Sequence, residues 1–259
     1  MGFFDTAKAA IIGNKAYRLH VDANKIAGEG KPEEAGAKYA EALRLYSESE
    51  RLGNIAPNVT QGHALLLLRE GRTEEAKALL EKMSKNKSLS KDDWFQLRVQ
   101  YSICLWRLGE LDKAMETMGR AAAYKMNGNV YSTFGMYWVD KARRDGDYEA
   151  ALEFNNQALD YDDEDAATLD NLGQLYYDLA GREPERAAEH RARALDFFKK
   201  AHEAKPRQIT TIYYLAKMYH EDGDDARARE LLSVRDSLYI TAICPVTREM
   251  LDALAKEVG

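Results

Sequence analysis

Apolar residues recur at spacings of three and four along most of this chain, and the runs are interrupted by glycines. Trp94, Leu97, Tyr101, Leu105 and Leu108 lie ahead of Gly109; Leu111, Ala114, Met115, Met118, Ala121 and Ala122 follow it. Such spacing places one apolar stripe on a helix. The glycine ends the first helix because, without a Cβ, it takes left-handed backbone at no steric cost. Acidic residues just after it suit the positive end of a second helix. The pattern predicts two antiparallel helices joined by a tight turn.

The pattern then repeats. Gly30, Gly71, Gly109, Gly146, Gly181 and Gly223 stand 41, 38, 37, 35 and 42 residues apart. Five of them precede an alanine by five residues: Ala35, Ala76, Ala114, Ala151 and Ala228. Alanines recur seven residues apart in second helices, as in Ala114 and Ala121, so paired helices approach closely. A small unit reiterated at a near-constant period predicts a stack in which each unit packs on its neighbours. Such stacks work by offering an extended surface.

The fifth unit is the sharpest. It reads Leu169, Leu172, Gly173 and Tyr176 in its first helix, Ala194, Phe198 and Ala201 in its second, then Pro206. The sixth has Leu215, Ala216, Tyr219 and Ala228, and the first has Ala35, Tyr39, Ala42 and Leu43. This series resembles the tetratricopeptide repeat family, of bacterial type, whose period is about 34 residues. The resemblance implies an all-α solenoid of about six helix-turn-helix repeats in a right-handed superhelix. Repeats are expected near 16–54, 57–88, 91–126, 129–163, 165–206 and 207–240, after an N-terminal amphipathic or capping segment, 1–15. A capping helix is expected over 245–259, opening at Pro245 with Met250, Leu251, Leu254 and Val258 on one face. Units two to four depart from the pattern, with Leu80, Met118 and Asn155 where the second-helix aromatic is expected. In unit five the second helix is expected to start near Pro184, with about two additional turns at its front because the alanine–aromatic motif comes only at Ala194.

The chain has 259 residues, 31% charged and 45% apolar, a globular balance. A formal net charge of −6 argues against nucleic acid, which demands a basic footprint. Cys104 and Cys244 form no paired motif, which fits a reducing, cytoplasmic setting. No apolar stretch is long enough to span a membrane, and the N-terminal residues are not expected to act as a secretory leader. Phe3, Phe4, Ala7, Ile11 and Ile12 sketch an amphipathic helix that docks on the first repeat or, as a second reading, lies on a membrane surface. Gly2 and Thr6 fit the loose myristoylation pattern, with Phe3 a crowded fit.

Candidate chemistry is sparse. Phosphate-loop, nucleophile-elbow and paired-histidine zinc motifs are missing. Asp160, Asp162, Asp163, Glu164 and Asp165 approximate a calcium loop but lack its glycine and terminal glutamate; they read as a solvated loop with a helix cap. No cofactor, metal or catalytic residue is expected. Tyr131, Phe134, Tyr137 and Trp138 read as gap-filling rings.

By the family resemblance, first helices line a concave groove that binds a protein or peptide. Counting at helical spacing gives Tyr17, His20 and Asn24 in unit one, and Asn58, Gln61, Leu65 and Leu68 in unit two. Unit three gives Gln96, Val99, Ile103 and Trp106, with Arg107 on the rim. Unit four gives Thr133, Met136, Asp140 and Arg143, in a register open to a one-turn slip. Unit five gives Asp170, Gln174 and Tyr177, and unit six gives Thr210, Tyr213, Lys217 and His220. Leu65, Leu68, Val99, Ile103, Trp106 and Met136 are expected to make an apolar floor. Relatives that grip a C-terminal carboxylate need cations where this sequence has His20, Asn24, Asn58, Gln61 and Gln96, so that specificity is not expected. The expected function is a non-catalytic adaptor or scaffold. The rivals are a membrane-surface scaffold and a small-molecule sensor or enzyme using His20, Asp140 or Asp170.

Overall fold

The computed structural model describes residues 3–54 and 56–259, with side chains from residue 7 onward. The N-terminal readings on Gly2, Phe3, Phe4 and Thr6 fall on groups outside the described residues. Every described element is helical. The chain forms two compact units: residues 1–125 with 237–243, and 126–236 with 244–259.

The first unit holds three helical hairpins: α1 (Phe3–Gly28) with α2 (Pro32–Arg51), α3 (Pro57–Arg69) with α4 (Thr73–Ser84), and α5 (Lys91–Arg107) with α6 (Leu111–Ala122). Gly30, Gly71 and Gly109 turn with positive φ of 82°, 77° and 79°. At Gly71 the amides of residues 71 and 72 return to the carbonyls of Leu68 and Leu67 at 3.1 and 2.9 Å, the glycine-terminated helix end that satisfies orphan carbonyls. Ala35, Ala76 and Ala114 are fully buried where the paired helices meet.

α1 differs from expectation. It runs unbroken from Phe3 through residues 15–16, so the described part of the expected N-terminal segment is the front of the first helix. Its front half docks on α2: the Ala9 carbonyl accepts from Ser49 Oγ at 2.7 Å, and Ala9 and Gly13 are buried. Ile11 is 71% exposed.

The second unit holds α7 (Gly128–Asp145) with α8 (Tyr148–Tyr161), α9 (Ala166–Arg182) with α10 (Ala187–Ala204), and α11 (Ile209–Glu221) with α12 (Asp225–Leu232). A final helix, α13 (Arg248–Val258), packs on α11 and α12 and buries Leu251, Leu254 and Val258. It starts three residues after Pro245, where Thr247 Oγ1 caps the Met250 amide at 3.3 Å. Gly181 is not a turn glycine: it sits inside α9 with ordinary helical backbone. The α9–α10 turn is made instead by Glu183 and a 3-10 turn over Pro184–Arg186, and α10 begins at Ala187, two turns before Ala194. Of the acidic run, Asp165 caps α9 by accepting from the Thr168 amide at 2.8 Å. Phe134, Tyr131 and Trp138 gather around Phe154 with centroids 5.0 to 6.1 Å apart, filling the α7–α8 seam.

Candidate binding faces

In the first unit the candidate residues fall on α1, α3 and α5, whose helices pack on one another as well as on their hairpin partners. Gln61 Nε2 ties α3 to α5 by donating to the Asp93 carbonyl at 3.3 Å. Asn58, Gln96 and Arg107 are exposed, and Gln61, Leu65, Ile103 and Trp106 are half-buried. The Arg107 guanidinium lies 5.5 Å from the Trp106 ring centre, close enough for a cation–π contact.

Other candidates do not stand on an open surface. Leu68 and Val99 are 0% and 2% exposed, so the apolar floor is reduced to Leu65, Ile103 and Trp106 here. Among the four leucines, Leu66, Leu67 and Leu68 are consumed by the core and only Leu65 is partly open. His20 is buried between the Tyr39 and Tyr46 rings, with centroids 5.8 and 6.1 Å away. Burial first, and then the Arg69 charge, lower its pKa to about 4. Its histidine is a neutral packing group, which removes it as surface chemistry. Tyr17 remains 46% exposed. Asn24 is exposed and accepts from Tyr39 Oη at 2.8 Å and from the Arg69 guanidinium.

The first unit also has a cleft of about 320 Å³ lined by Ser47, Glu50, His63, Arg72, Glu75, Lys82 and small or aliphatic side chains. Ser47 Oγ is 3.5 Å from His63 Nε2, and His63 Nδ1 is 3.6 Å from Glu50. The order of groups matches a hydroxyl–imidazole–carboxylate relay. However, the hydroxyl donates to the Leu43 carbonyl at 3.0 Å. Ser47, Glu50 and His63 sit within helices, whose backbone amides are already bonded.

In the second unit the candidates lie on α7, α9 and α11, and four of them join one network. Arg143 Nε donates to Asp178 at 2.7 Å, and Nη2 donates to Gln174 Oε1 at 3.0 Å and Tyr214 Oη at 3.1 Å. Asp140 stands 3.7 Å from the same guanidinium. Gln174 Nε2 and Thr211 Oγ1 donate to the two oxygens of Asp170 at 2.7 and 2.6 Å. Asp170 and Gln174 are buried. Burial pushes the Asp170 carboxyl up, against the hydrogen bonds from Thr211, Gln174 and Thr210. Burial opposes the charge of Arg143, but Tyr214 and Asp178 outweigh it and hold the guanidinium above its usual range.

Around the network, Met136, Tyr177, Tyr213, Lys217 and His220 are half-buried, as are Thr133 and Thr210. Tyr177 Oη donates to Glu221 at 2.6 Å, with Lys217 Nζ 5.3 Å from its ring centre. His220 Nδ1 pairs with Asp225 at 2.6 Å. Sequence reasoning missed Asp178, Thr211 and Tyr214. Asp178 was within reach, since it continues the 170, 174, 178 stripe by one turn.

The comparisons agree on architecture. A human IFIT1 dimer solved with m7Gppp-AAAA superposes with a TM-score of 0.61 at 20% identity, covering 81% of this chain and 48% of that one. The Cut9–Hcn1 hetero-tetramer of the APC/C gives 0.59 at 20% identity, covering 98% of this chain and 46% of that one. Both are tetratricopeptide-type helical-repeat structures, so the chain has a tetratricopeptide-like all-α fold. It spans about half the length of these proteins. No protein-family model and no curated sequence matches it. Among the described residues no helix is long and apolar enough to cross a membrane.

Proposed function

We propose that this chain is a non-catalytic, cytoplasmic adaptor of six tetratricopeptide repeats that binds an extended protein segment. One observation carries the reading. On two adjoining first helices, α3 and α5, half-open Leu65, Ile103 and Trp106 sit among Asn58, Gln61, Gln96 and Arg107. Apolar side chains left part-open beside hydrogen-bonding groups suit a peptide, whose side chains need burial and whose backbone needs partners. The formal charge of −6 disfavours a nucleic-acid backbone as the partner. In the second unit, Met136, Tyr177 and Tyr213 form the corresponding contact surface. The test is affinity capture from native lysate with Trp106→Ala combined with Ile103→Asp. Capture should fall at least tenfold, as expected for losing a buried aromatic anchor, with helicity retained. Undiminished capture by the folded double variant refutes the assignment.

The exposed Ile11 on α1 supports a second reading, attachment to a membrane surface. It predicts that full-length protein floats with liposomes while a variant beginning at Asn14 does not. Equal flotation ends it.

A further inference from the structure

The segment 237–243 is the one stretch of the C-terminal region that belongs to the first unit, while the chain on both sides of it belongs to the second. Residues 238–241 form no helix or turn. This short run is seated on the α2–α3 edge by contacts of three kinds. The Tyr239 ring packs on Tyr39 with centroids 4.9 Å apart, beside Gly36. Its hydroxyl donates to Glu70 at 2.8 Å. The Ala242 amide donates to the Arg69 carbonyl at 2.7 Å, an acceptor left over at the end of α3. Ile243 then packs against the cluster that contains Leu68, Leu97 and Cys104.

The seat is selective at its aromatic ring and at residue 242. Tyr39 is held in place by Asn24, which accepts its hydroxyl at 2.8 Å. A Cβ on Gly36 would meet the incoming ring at 3.7 Å, an ordinary contact, so the ring lies directly on α2 there. Gly71 is tighter: a Cβ on it would lie 3.3 Å from the Ala242 methyl, so there is little room for a larger side chain at 242.

We propose that this edge of the first unit is a recognition site for an extended peptide. Its ligand carries a hydroxylated aromatic residue, a small residue three positions later and an aliphatic residue next, and residues 237–243 are a built-in copy of that ligand. The segment is a competitor on a tether. A tether supplies an effective concentration of about 1 mM. If the isolated peptide binds at about 0.1 mM, the site is roughly nine-tenths filled from within, and an outside peptide binds about tenfold more weakly than to an emptied site. The inference rests on the adaptor reading and names a ligand class for it; it centres on Tyr39, Arg69 and Glu70, with Ile243 reaching the cluster on which Ile103 also packs.

The experiment uses the full chain and a fluorescein-labelled synthetic peptide with the sequence of residues 236–243, read by fluorescence anisotropy. Tyr239→Ala with Ala242→Pro weakens the internal copy and leaves the acceptor intact. This variant should bind the peptide at least tenfold more tightly than the wild type, and a peptide with alanine in place of its tyrosine should lose that gain. Equal affinities, or no saturable binding by the folded variant, overturn the proposal. Should the double variant unfold, Ala242→Pro alone removes a single amide donor and is read the same way. On the unaltered protein, peptide at about 1 mM should accelerate amide exchange across 237–243; unchanged exchange also overturns it. Glu70→Ala, which removes the acceptor of the tyrosine hydroxyl, should weaken peptide binding by the emptied variant, whereas capture from lysate by the Ile103 and Trp106 face is a separate readout, so the two readings fail separately.

Discussion

Two glycines of α9 should respond in opposite directions to the same substitution. A Cβ on Gly173 would stand 2.7 Å from Cδ1 and Cε1 of Phe198 and 3.0 Å from Cγ. Comfortable carbon contacts lie at about 3.5–4.0 Å, so the ring must retreat by close to an ångström. It has nowhere to go: Phe198 is fully buried and stacked on Tyr214 at 5.4 Å with planes 5° apart. Overpacking of this kind costs about 1–3 kcal/mol. Replacing helical glycine by alanine returns about 1 kcal/mol. Gly173→Ala should therefore destabilise the protein by up to about 2 kcal/mol, because for a ring that cannot move the steric cost lies at the upper end and outweighs the propensity gain. A Cβ on Gly181 meets no heavy atom within 4 Å, so only the propensity gain applies and Gly181→Ala should stabilise by about 0.5–1 kcal/mol. Were Gly181 a left-handed turn residue, as its spacing suggests, alanine would destabilise instead. Urea midpoints at constant slope, followed by circular dichroism, read both changes. Phe198→Leu in the Gly173→Ala background should recover part of the loss, a coupling that a double-mutant cycle isolates. Same-signed effects at the two glycines, or no coupling to Phe198, would refute the close-approach argument.

Acid should weaken the first unit through His20. Its folded pKa of about 4 lies below the ordinary 6.5, so the neutral ring's stability is fully present above pH 6.5 and is lost as pH falls from there towards 4. The span corresponds to about 3 kcal/mol; His20→Phe should flatten the pH–stability curve over that window, and a curve of unchanged slope would show that His20 does not carry it. In the second unit, Thr211→Val removes one of the donors to buried Asp170 and should cost about 1–3 kcal/mol in urea unfolding. A loss under a few tenths would mean that the Asp170 carboxyl does not depend on that hydroxyl.

The hairpins were legible because helix period, turn glycine and packing alanine all bear on the same local structure. Gly71 followed by Ala76, or Gly146 by Ala151, fixes where one helix stops and where its partner buries its small face, with no reference to distant residues. The α9–α10 junction misled because Gly181 kept the period while Pro184 and Glu183 took over the turn. The candidate surface was less legible. A stripe counted from a motif gives the face of a helix, but a first helix has neighbours on more than one side. Leu68 and Val99 share stripes with Leu65 and Ile103 and are still covered. The 237–243 segment has no period at all, and its seating depends on a hydrogen bond between residues 169 apart in sequence, Tyr239 and Glu70.

The polar stripe of the second unit shows why residue type alone misjudges a binding face. Asp140, Arg143, Asp170 and Gln174 were selected as groove chemistry because they are charged or amide-bearing and fall at helical spacing. Each already serves another: Arg143 faces Asp178, Asp140, Gln174 and Tyr214, while Asp170 accepts from Gln174 and Thr211. Hydrogen bonds to charged groups are worth about 1.5–3 kcal/mol each. A ligand carboxylate would have to replace several of them to reach Arg143, and it would approach Asp178 and Asp140 as it did so. The network therefore fixes α7, α9 and α11 against one another, and on the proposed reading only the half-open Met136, Tyr177 and Tyr213 beside it are left to meet a partner. They would do so mainly through apolar area, since the Tyr177 hydroxyl already donates to Glu221.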